Sequence, residues 1–99
     1  MPLSDRPAYC TVDRELRFLS VNDTMLRVLG KAREEMVGRT YLEVYPQAEG
    51  GEVHLALQRA LKSLTPQKER LWSRPLNRSL DMEIYPVADG LQVAFSPAD

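Results

Sequence analysis

The sequence predicts an α+β fold, in which a five-stranded antiparallel sheet carries helices on one face. Segments near the N-terminus have the composition of strands, and the later part of the chain alternates apolar and polar residues with a period of two. Between them, apolar residues recur at the spacing of one helical face. Because 99 residues supply only one modest core, we expect a single domain with the element order β-β-α-α-α-α-β-β-β.

The first two strands form a predicted β-hairpin. Residues 8–12 and 17–21 are rich in β-branched and aromatic side chains. The polar residues at 13–15 separate them and are typical of a hairpin turn. Residues 1–7 precede the hairpin, and we expect them to form a flexible N-terminal segment of the single domain 1–99.

Three short helical segments should follow the hairpin. Asn22 stands where a helix N-cap belongs, and Gly30 stands where that helix should end. The apolar face between them consists of Met25, Leu26 and Leu29. Further helical turns are expected at 34–37 and 41–45, and Pro46 should end the last of them because proline cannot continue a helix.

The longest helix is expected at 52–64, followed by three strands. Its apolar stripe consists of Val53, Ala56, Leu57, Ala60, Leu61 and Leu64. The more polar segment 68–73 suits a strand at the edge of the sheet, where charge discourages unwanted pairing. Two alternating strands are joined at 88–90. Their core-facing residues are predicted to be Leu80, Met82, Ile84, Leu91, Val93 and Phe95.

Composition argues against several kinds of partner. Thirteen basic and fourteen acidic residues give a net charge of -1, so the positive field that binds a nucleic-acid backbone is missing. We also expect no membrane contact, since no apolar run is fit for a membrane span or a signal peptide. Cys10 is the single cysteine and cannot form an internal disulfide, so we expect a cytoplasmic location.

The sequence contains no constellation typical of an enzyme. The single His and the single Cys belong to different elements, the carboxylates are scattered, and no metal site is expected. The glycine pair at 50–51 does not form a phosphate-binding loop. An α+β cone enzyme of the small isomerase type would need a buried acid on an inner strand face. Asp81 and Glu83 have the opposite parity to the predicted core residues, so we expect this domain to be non-catalytic.

Several short motifs resemble those of a PAS sensor domain, of the type found in bacterial sensor histidine kinases of two-component systems and in related signalling proteins. The motifs are Asp13, Val21-Asn22, Leu29-Gly30, Glu34-Glu35-Met36-Val37-Gly38, Tyr85-Pro86 and Asp89-Gly90. This resemblance implies a sensory or regulatory module that binds a small ligand or a partner domain and transmits a conformational signal. The alternative, from another class, is a ligand-free dimerisation or docking module with a filled core.

The resemblance also implies a ligand site between the long helix and the sheet. Its expected lining consists of Met25, Tyr41, Leu42, Tyr45, Leu57, Leu61, Leu80 and Met82. Because these residues carry no charge, the expected ligand is small and either neutral or aromatic.

The identity of any cofactor is left open by the sequence. Some PAS domains bind haem through a histidine on the long helix, the position of His54 here, but this residue lies beside the apolar stripe and is expected to be partly exposed. Flavin-binding relatives carry their reactive cysteine in the segment that corresponds to 41–45. Cys10 lies on a strand instead, so a flavin adduct is not expected.

The face of the sheet without helices is expected to carry an association surface. Strict alternation sends Tyr85 and Ala94 there, and Tyr9 and Trp72 are expected to join them. Exposed aromatic side chains are typical of docking surfaces, so we expect a homodimer or a flanking output segment to cover them.

Overall fold

The computed structural model describes residues 7–98, and the predicted fold class and element order are confirmed in it. The strands are β1 (Ala8–Asp13), β2 (Phe18–Val21), β3 (Gln67–Ser73), β4 (Arg78–Val87) and β5 (Gly90–Pro97). The α-helices are α1 (Asp23–Leu29), α2 (Tyr41–Val44) and α3 (Glu52–Ser63), with 3-10 turns at Arg33–Glu35 and Pro46–Ala48. The expected flexible segment at 1–7 lies, apart from Pro7, outside the described residues.

The five strands form one antiparallel sheet in the order β2-β1-β5-β4-β3. The N-terminal hairpin therefore pairs with the last strand, and β3 lies at an edge, as predicted. Every residue expected to face the core from β4 and β5 is buried: Leu80, Met82, Ile84, Leu91, Val93 and Phe95. Alternation along the strands thus places one apolar face against the helices.

Helix α3 packs on this inner face through most of its predicted stripe. The buried members are Val53, Ala56, Leu57 and Ala60. Leu61 is only partly buried. Leu64 is 59% exposed, so its assignment to the stripe was wrong. The reason is that α3 ends at Ser63, and Leu64 caps it in the left-handed conformation with φ of 57°, which turns it away from the helical face.

Pro46 begins a helical turn as well as following one. The α2 helix ends at Val44, close to the predicted end, but Pro46 then occupies the first position of the 3-10 turn Pro46–Ala48. A proline fits that position because its missing N–H would have no partner there. This second turn, which the sequence did not predict, leads the chain into α3.

Asn22 fastens the start of β1 to the start of α1. Its Oδ1 accepts the N–H groups of Met25 at 2.9 Å and Tyr9 at 3.0 Å, and its Nδ2 donates to the carbonyl of Pro7 at 3.1 Å. The predicted N-cap is therefore confirmed. The same side chain also fixes the strand beside the helix.

Gly90 permits a close approach of two strands. A Cβ atom built at this position would collide with the carbonyl oxygen of Val12 on β1. The residue therefore has to be glycine at the start of β5, where that strand pairs with Asp13.

Candidate ligand cavity

An apolar cavity of about 50 Å³ lies between the inner face of the sheet and the helices. No charged residue lines it. Such a volume holds roughly three or four water-sized groups, so the cavity suits a small molecule.

Most of the residues predicted to line a ligand site border this cavity. They are Met25, Tyr41, Tyr45, Leu57, Leu80 and Met82. Leu42 and Leu61 do not border it and instead line a depression elsewhere on the surface. Leu42 follows Tyr41 directly on α2, so the two side chains point about 100° apart on the helix. Leu61 lies one turn beyond Leu57, where α3 extends past the cavity.

The sequence did not predict the part of the lining that comes from the β3–β4 loop and the first two strands. Cys10, Val12 and Phe18 contribute from β1 and β2, and the β3–β4 loop adds Pro75 and Leu76. Val12 had a detectable signal, since it lies between the polar residues Thr11 and Asp13. The loop residues had none, because nothing local indicates that this loop folds over the cavity.

Helix α2 positions the two tyrosines at the cavity. Thr40 caps the helix by accepting the N–H of Glu43 at 3.2 Å, while the Glu43 carboxylate accepts the N–H of Thr40 at 2.8 Å. Tyr41 and Tyr45 lie one turn apart, with ring centroids separated by 6.2 Å. The Tyr41 ring also makes an edge contact with Phe18 at 6.5 Å. The capped turn thus places both aromatic residues at the cavity.

The hydroxyl of Tyr45 is buried without a hydrogen-bond partner among the described residues. An unsatisfied buried donor costs about 1 to 3 kcal/mol. Burial, followed by the negative charge of Glu35, raises the pKa of Tyr45 to about 12. Burial also raises the pKa of Tyr41 to about 12. Both groups therefore stay neutral at ordinary pH.

The β3–β4 loop is latched to the helical layer by Arg74. Its Nη1 donates to the carbonyl oxygens of Glu49 at 3.0 Å and Gln47 at 3.3 Å. Within the loop, Ser73 Oγ accepts the N–H of Leu76 at 3.3 Å. These bonds hold Leu76 where it borders the cavity.

His54 is buried, contrary to the expectation that it would be partly exposed. It is 7% exposed, and its Nδ1 accepts the N–H of Gly50 at 3.0 Å. Its ring lies 6.5 Å from the Tyr41 ring, and it lines the depression shared with Leu42 and Leu61 rather than the cavity. The chain entering α3 thus brings the Gly50 backbone within hydrogen-bonding distance of the imidazole, a contact that helical periodicity does not predict. With Nδ1 engaged and the side chain outside the cavity, His54 does not fit a haem ligand there.

The outer face of the sheet carries all four residues predicted for an association surface, but they do not form one patch. Tyr9 lies opposite Ala94 in the β1–β5 register, and Tyr85 lies near them on β4. Trp72 lies opposite Ser79, six residues along β4 from Tyr85 and hence roughly 20 Å away.

Ion pairs occupy the space between Trp72 and Tyr85. Arg70 Nε contacts Asp81 at 2.9 Å, and Lys68 Nζ lies 3.9 Å from Glu83. The hydroxyl of Tyr85 donates to Glu83 at 2.5 Å. The expected aromatic patch is therefore divided by a charged band, with Trp72 on its far side.

Other chemistry within residues 7–98 is limited. No three His, Cys, Asp or Glu side chains in this range lie close enough to hold a metal ion. Burial raises the pKa of the Cys10 thiol to about 12, which keeps it in the unreactive protonated form. None of the helices described here is long and apolar enough to cross a membrane.

Comparisons with known proteins agree with this architecture. The sequence matches the PAS fold family over residues 3–94. No curated protein sequence matches the chain.

Solved structures with the same fold differ widely from this chain in sequence. A sensory box sensor histidine kinase from Vibrio cholerae shares 16% identity at a TM-score of 0.79, covering 97% of this chain and 85% of that one. The PAS domain of histidine kinase ThkA shares 14% identity at 0.75, covering 92% and 98%. The RpfR quorum-sensing receptor PAS domain of Cronobacter turicensis, in complex with BDSF, shares 12% at 0.75, covering 95% of each chain. At these identities the likeness concerns the fold.

Proposed function

This chain belongs to the PAS fold family, and we propose that it is a sensory module of a signalling protein, which binds a small neutral ligand in the cavity between α3 and the sheet. The observation that carries this proposal is the apolar, uncharged cavity bordered by both layers of the fold. A ligand there would contact helices and sheet at once. It could therefore bias their relative position and pass that bias to a neighbouring domain.

Support for a kinase host comes from the comparisons. The matched structures include domains of sensor histidine kinases and of a quorum-sensing receptor. We propose a histidine kinase of a bacterial two-component system as the host protein, with this domain itself non-catalytic. A cytoplasmic location is part of the same proposal, supported by the free, buried thiol of Cys10.

The proposal is tested by recovering the ligand from the protein as purified. Native mass spectrometry and an absorption spectrum of the wild type should reveal a bound small molecule, or micromolar to millimolar neutral compounds should raise its melting temperature. Val53→Phe adds a ring at the cavity wall and should reduce binding. Leu55→Phe is the matched control, because Leu55 lies on the same helix but is 45% exposed and does not border the cavity. This variant should leave binding unchanged.

Two results would count against a ligand-binding role. The first is a wild-type protein that carries no compound and responds to none of those added. The second is binding that survives in Val53→Phe and is lost in Leu55→Phe, which would place the ligand elsewhere.

We propose in addition that the end of the outer face around Tyr85 associates with a second copy of the chain. Tyr85 is 41% exposed and Val87 is 40% exposed on the same strand, while Tyr9 and Ala94 lie nearby on the next strands. Exposed aromatic and aliphatic side chains without a cover are typical of interfaces. A ligand-free docking role remains the alternative function of the domain, and this surface is what favours it.

Charge placed at this surface distinguishes a dimer from a monomer. Tyr85→Glu should shift the protein toward monomer in sedimentation velocity, since it adds a carboxylate beside Glu83. Trp72→Glu is the control, because it lies across the charged band and should leave association intact. A wild type that is monomeric at high micromolar concentration, and that no added flanking segment converts to a dimer, would reject the dimer.

A further inference from the structure

We propose that the Tyr45 hydroxyl selects the ligand of the cavity by donating a hydrogen bond to an acceptor atom on an otherwise apolar, neutral molecule. This inference rests on the proposed function, since it requires that the cavity takes up a ligand. It adds what kind of ligand is taken up and which group recognises it.

The first support is the unusual state of Tyr45. The residue is only 9% exposed, borders the cavity, and has a hydroxyl without any partner among residues 7–98. Buried hydroxyls in proteins nearly always have a partner. A cavity beside such a donor is therefore suited to supply the missing acceptor, either from a ligand or from an internal water molecule.

The second support is the state of the other polar groups in the cavity wall. Ser73 Oγ accepts the N–H of Leu76 within the β3–β4 loop. Cys10 offers a thiol, which is a weak donor and a weak acceptor. Of the hydroxyl groups of Tyr41, Tyr45 and Ser73, which all border the cavity, that of Tyr45 is the one buried without any partner among residues 7–98.

The third support concerns charge. No Lys, Arg or His lines the cavity, so a bound carboxylate would lack a counter-ion in an apolar site. Lys31 lies over the Tyr45 ring at 5.5 Å from its centroid but does not border the cavity. The tyrosine stays protonated in this environment and acts as a neutral donor. These features together favour an acceptor such as a ketone, ether or ester oxygen over an anion.

A pair of isosteric probes tests the inference. Acetone and 2-methylpropene are small enough for a cavity of about 50 Å³, and they differ in whether a carbonyl oxygen or a methylene group projects from the central carbon. Their affinities for the intact chain can be measured from amide shifts of cavity residues in proton–nitrogen correlation spectra. The wild type should bind the ketone about tenfold more tightly than the alkene, the factor expected for one hydrogen bond to a donor that is otherwise unsatisfied.

The variant Tyr45→Phe should bind both probes equally, at the affinity that the wild type shows for the alkene. Tyr41→Phe is the matched control, since its ring borders the same cavity while its hydroxyl is not among the buried unpaired groups. It should keep the tenfold preference. Acetate, which matches acetone in size but carries a charge, should not bind to any of the three proteins.

The outcomes separate this inference from the proposed function. If both probes bind the wild type equally, the cavity takes ligands but Tyr45 does not select them, and an internal water satisfies the hydroxyl. If Tyr45→Phe retains the preference, or the carboxylate binds, the inference is also wrong. If no neutral probe shifts the cavity resonances, the proposed function fails and the inference fails with it. If Tyr45→Phe does not fold, the preference for the ketone over the alkene in the wild type and in Tyr41→Phe still tests the inference. Loss of that preference in Tyr41→Phe would assign the hydrogen bond to Tyr41 and overturn the inference.

Discussion

Replacing Leu57 by alanine tests how α3 is held on the sheet and how much the cavity already weakens that contact. Leu57 is 5% exposed, so truncation removes nearly all of the transfer free energy of its side chain. Buried leucine-to-alanine changes cost about 2 to 5 kcal/mol. Because Leu57 borders an existing cavity of about 50 Å³, it lacks partner atoms on one side. We therefore expect a loss of free energy of unfolding in the lower part of that range, about 2.5 to 3.5 kcal/mol.

The same substitution at two other positions of the helix provides an internal scale. Leu61 is partly buried, and Leu61→Ala should cost about 1 kcal/mol. Leu55 is 45% exposed, and Leu55→Ala should fall within about 0.5 kcal/mol of the wild type. Urea unfolding followed by circular dichroism measures all three. At unchanged slope, Leu57→Ala should lower the midpoint by roughly 2 M.

The order of the three values is the decisive result. A Leu57→Ala variant that loses less than about 0.5 kcal/mol, or no more than Leu55→Ala, would show that this face of α3 does not pack on the sheet. A changed slope would instead indicate that the denatured state or the two-state behaviour has altered, and the comparison would then be made from hydrogen exchange.

Three further outcomes are expected from the latch, the strand contact and the tyrosines. Arg74→Ala removes the bonds to two backbone carbonyls, so hydrogen exchange in the β3–β4 loop and release of a cavity ligand should both accelerate, while stability falls by only about 1 kcal/mol. Gly90→Ala forces a methyl group against β1 and should cost about 2 to 3 kcal/mol in urea unfolding. Burial raises the pKa values of Tyr41 and Tyr45 from 10.0 to about 12. The stability gained from keeping these two side chains protonated is therefore complete below pH 10 and is lost as pH rises toward 12. Phenolate absorbance and urea unfolding, measured over the same pH range, follow this loss.

Each of these expectations has a control. Arg78→Ala, next to the same loop, removes a charge without removing bonds to those carbonyls, and equal acceleration by both variants would contradict the latch. Gly30 has φ of 66°, but a Cβ atom added there would meet no atom within 4 Å. Gly30→Ala should therefore lower the free energy of unfolding by only about 1 kcal/mol. An equally small loss for Gly90→Ala would contradict the close contact between β5 and β1. For the tyrosines, titration of Tyr41 and Tyr45 near pH 10 would contradict their burial.

The fold was predictable from the sequence because its signals are local. The period of two at Leu80, Met82 and Ile84 requires only that β4 have one buried face. The helical period at Val53 and Leu57 likewise requires only one neighbour for α3. Neither signal depends on knowing which element packs against which.

The errors occur where a helix ends or where the chain folds back. Leu64 follows the helical period in sequence, yet the helix ends one residue earlier and a left-handed residue replaces the next turn. His54 lies beside the stripe as predicted, but it is buried, in contact with Gly50 before the helix and near the Tyr41 ring of α2. Periodicity describes the interior of an element and carries no information about either event.

The candidate site was predictable in outline only. The residues on α3 and β4 that border the cavity follow from their faces, whereas the Pro75–Leu76 part of the lining depends on the latch made by Arg74. The separation of Trp72 from Tyr85 depends on how β3 and β4 are paired in register. The alternation of inward and outward residues within each strand does not reveal that register. The unpaired hydroxyl of Tyr45 is a property of packing, and no pattern in the sequence indicates it.

The hydrogen bonds of Asn22 restrict which amino acid can occupy that position. An N-cap needs only an acceptor, and aspartate or serine would serve Met25 as well as asparagine does. The side chain here also donates to the Pro7 carbonyl, and it accepts a second N–H from Tyr9. Aspartate has no proton to donate at neutral pH, and a single serine hydroxyl is too short to serve a strand and a helix at once. Only a carboxamide can both donate and accept hydrogen bonds at the end of such a short side chain. The junction therefore restricts this position to asparagine, whereas an N-cap alone would accept several amino acids.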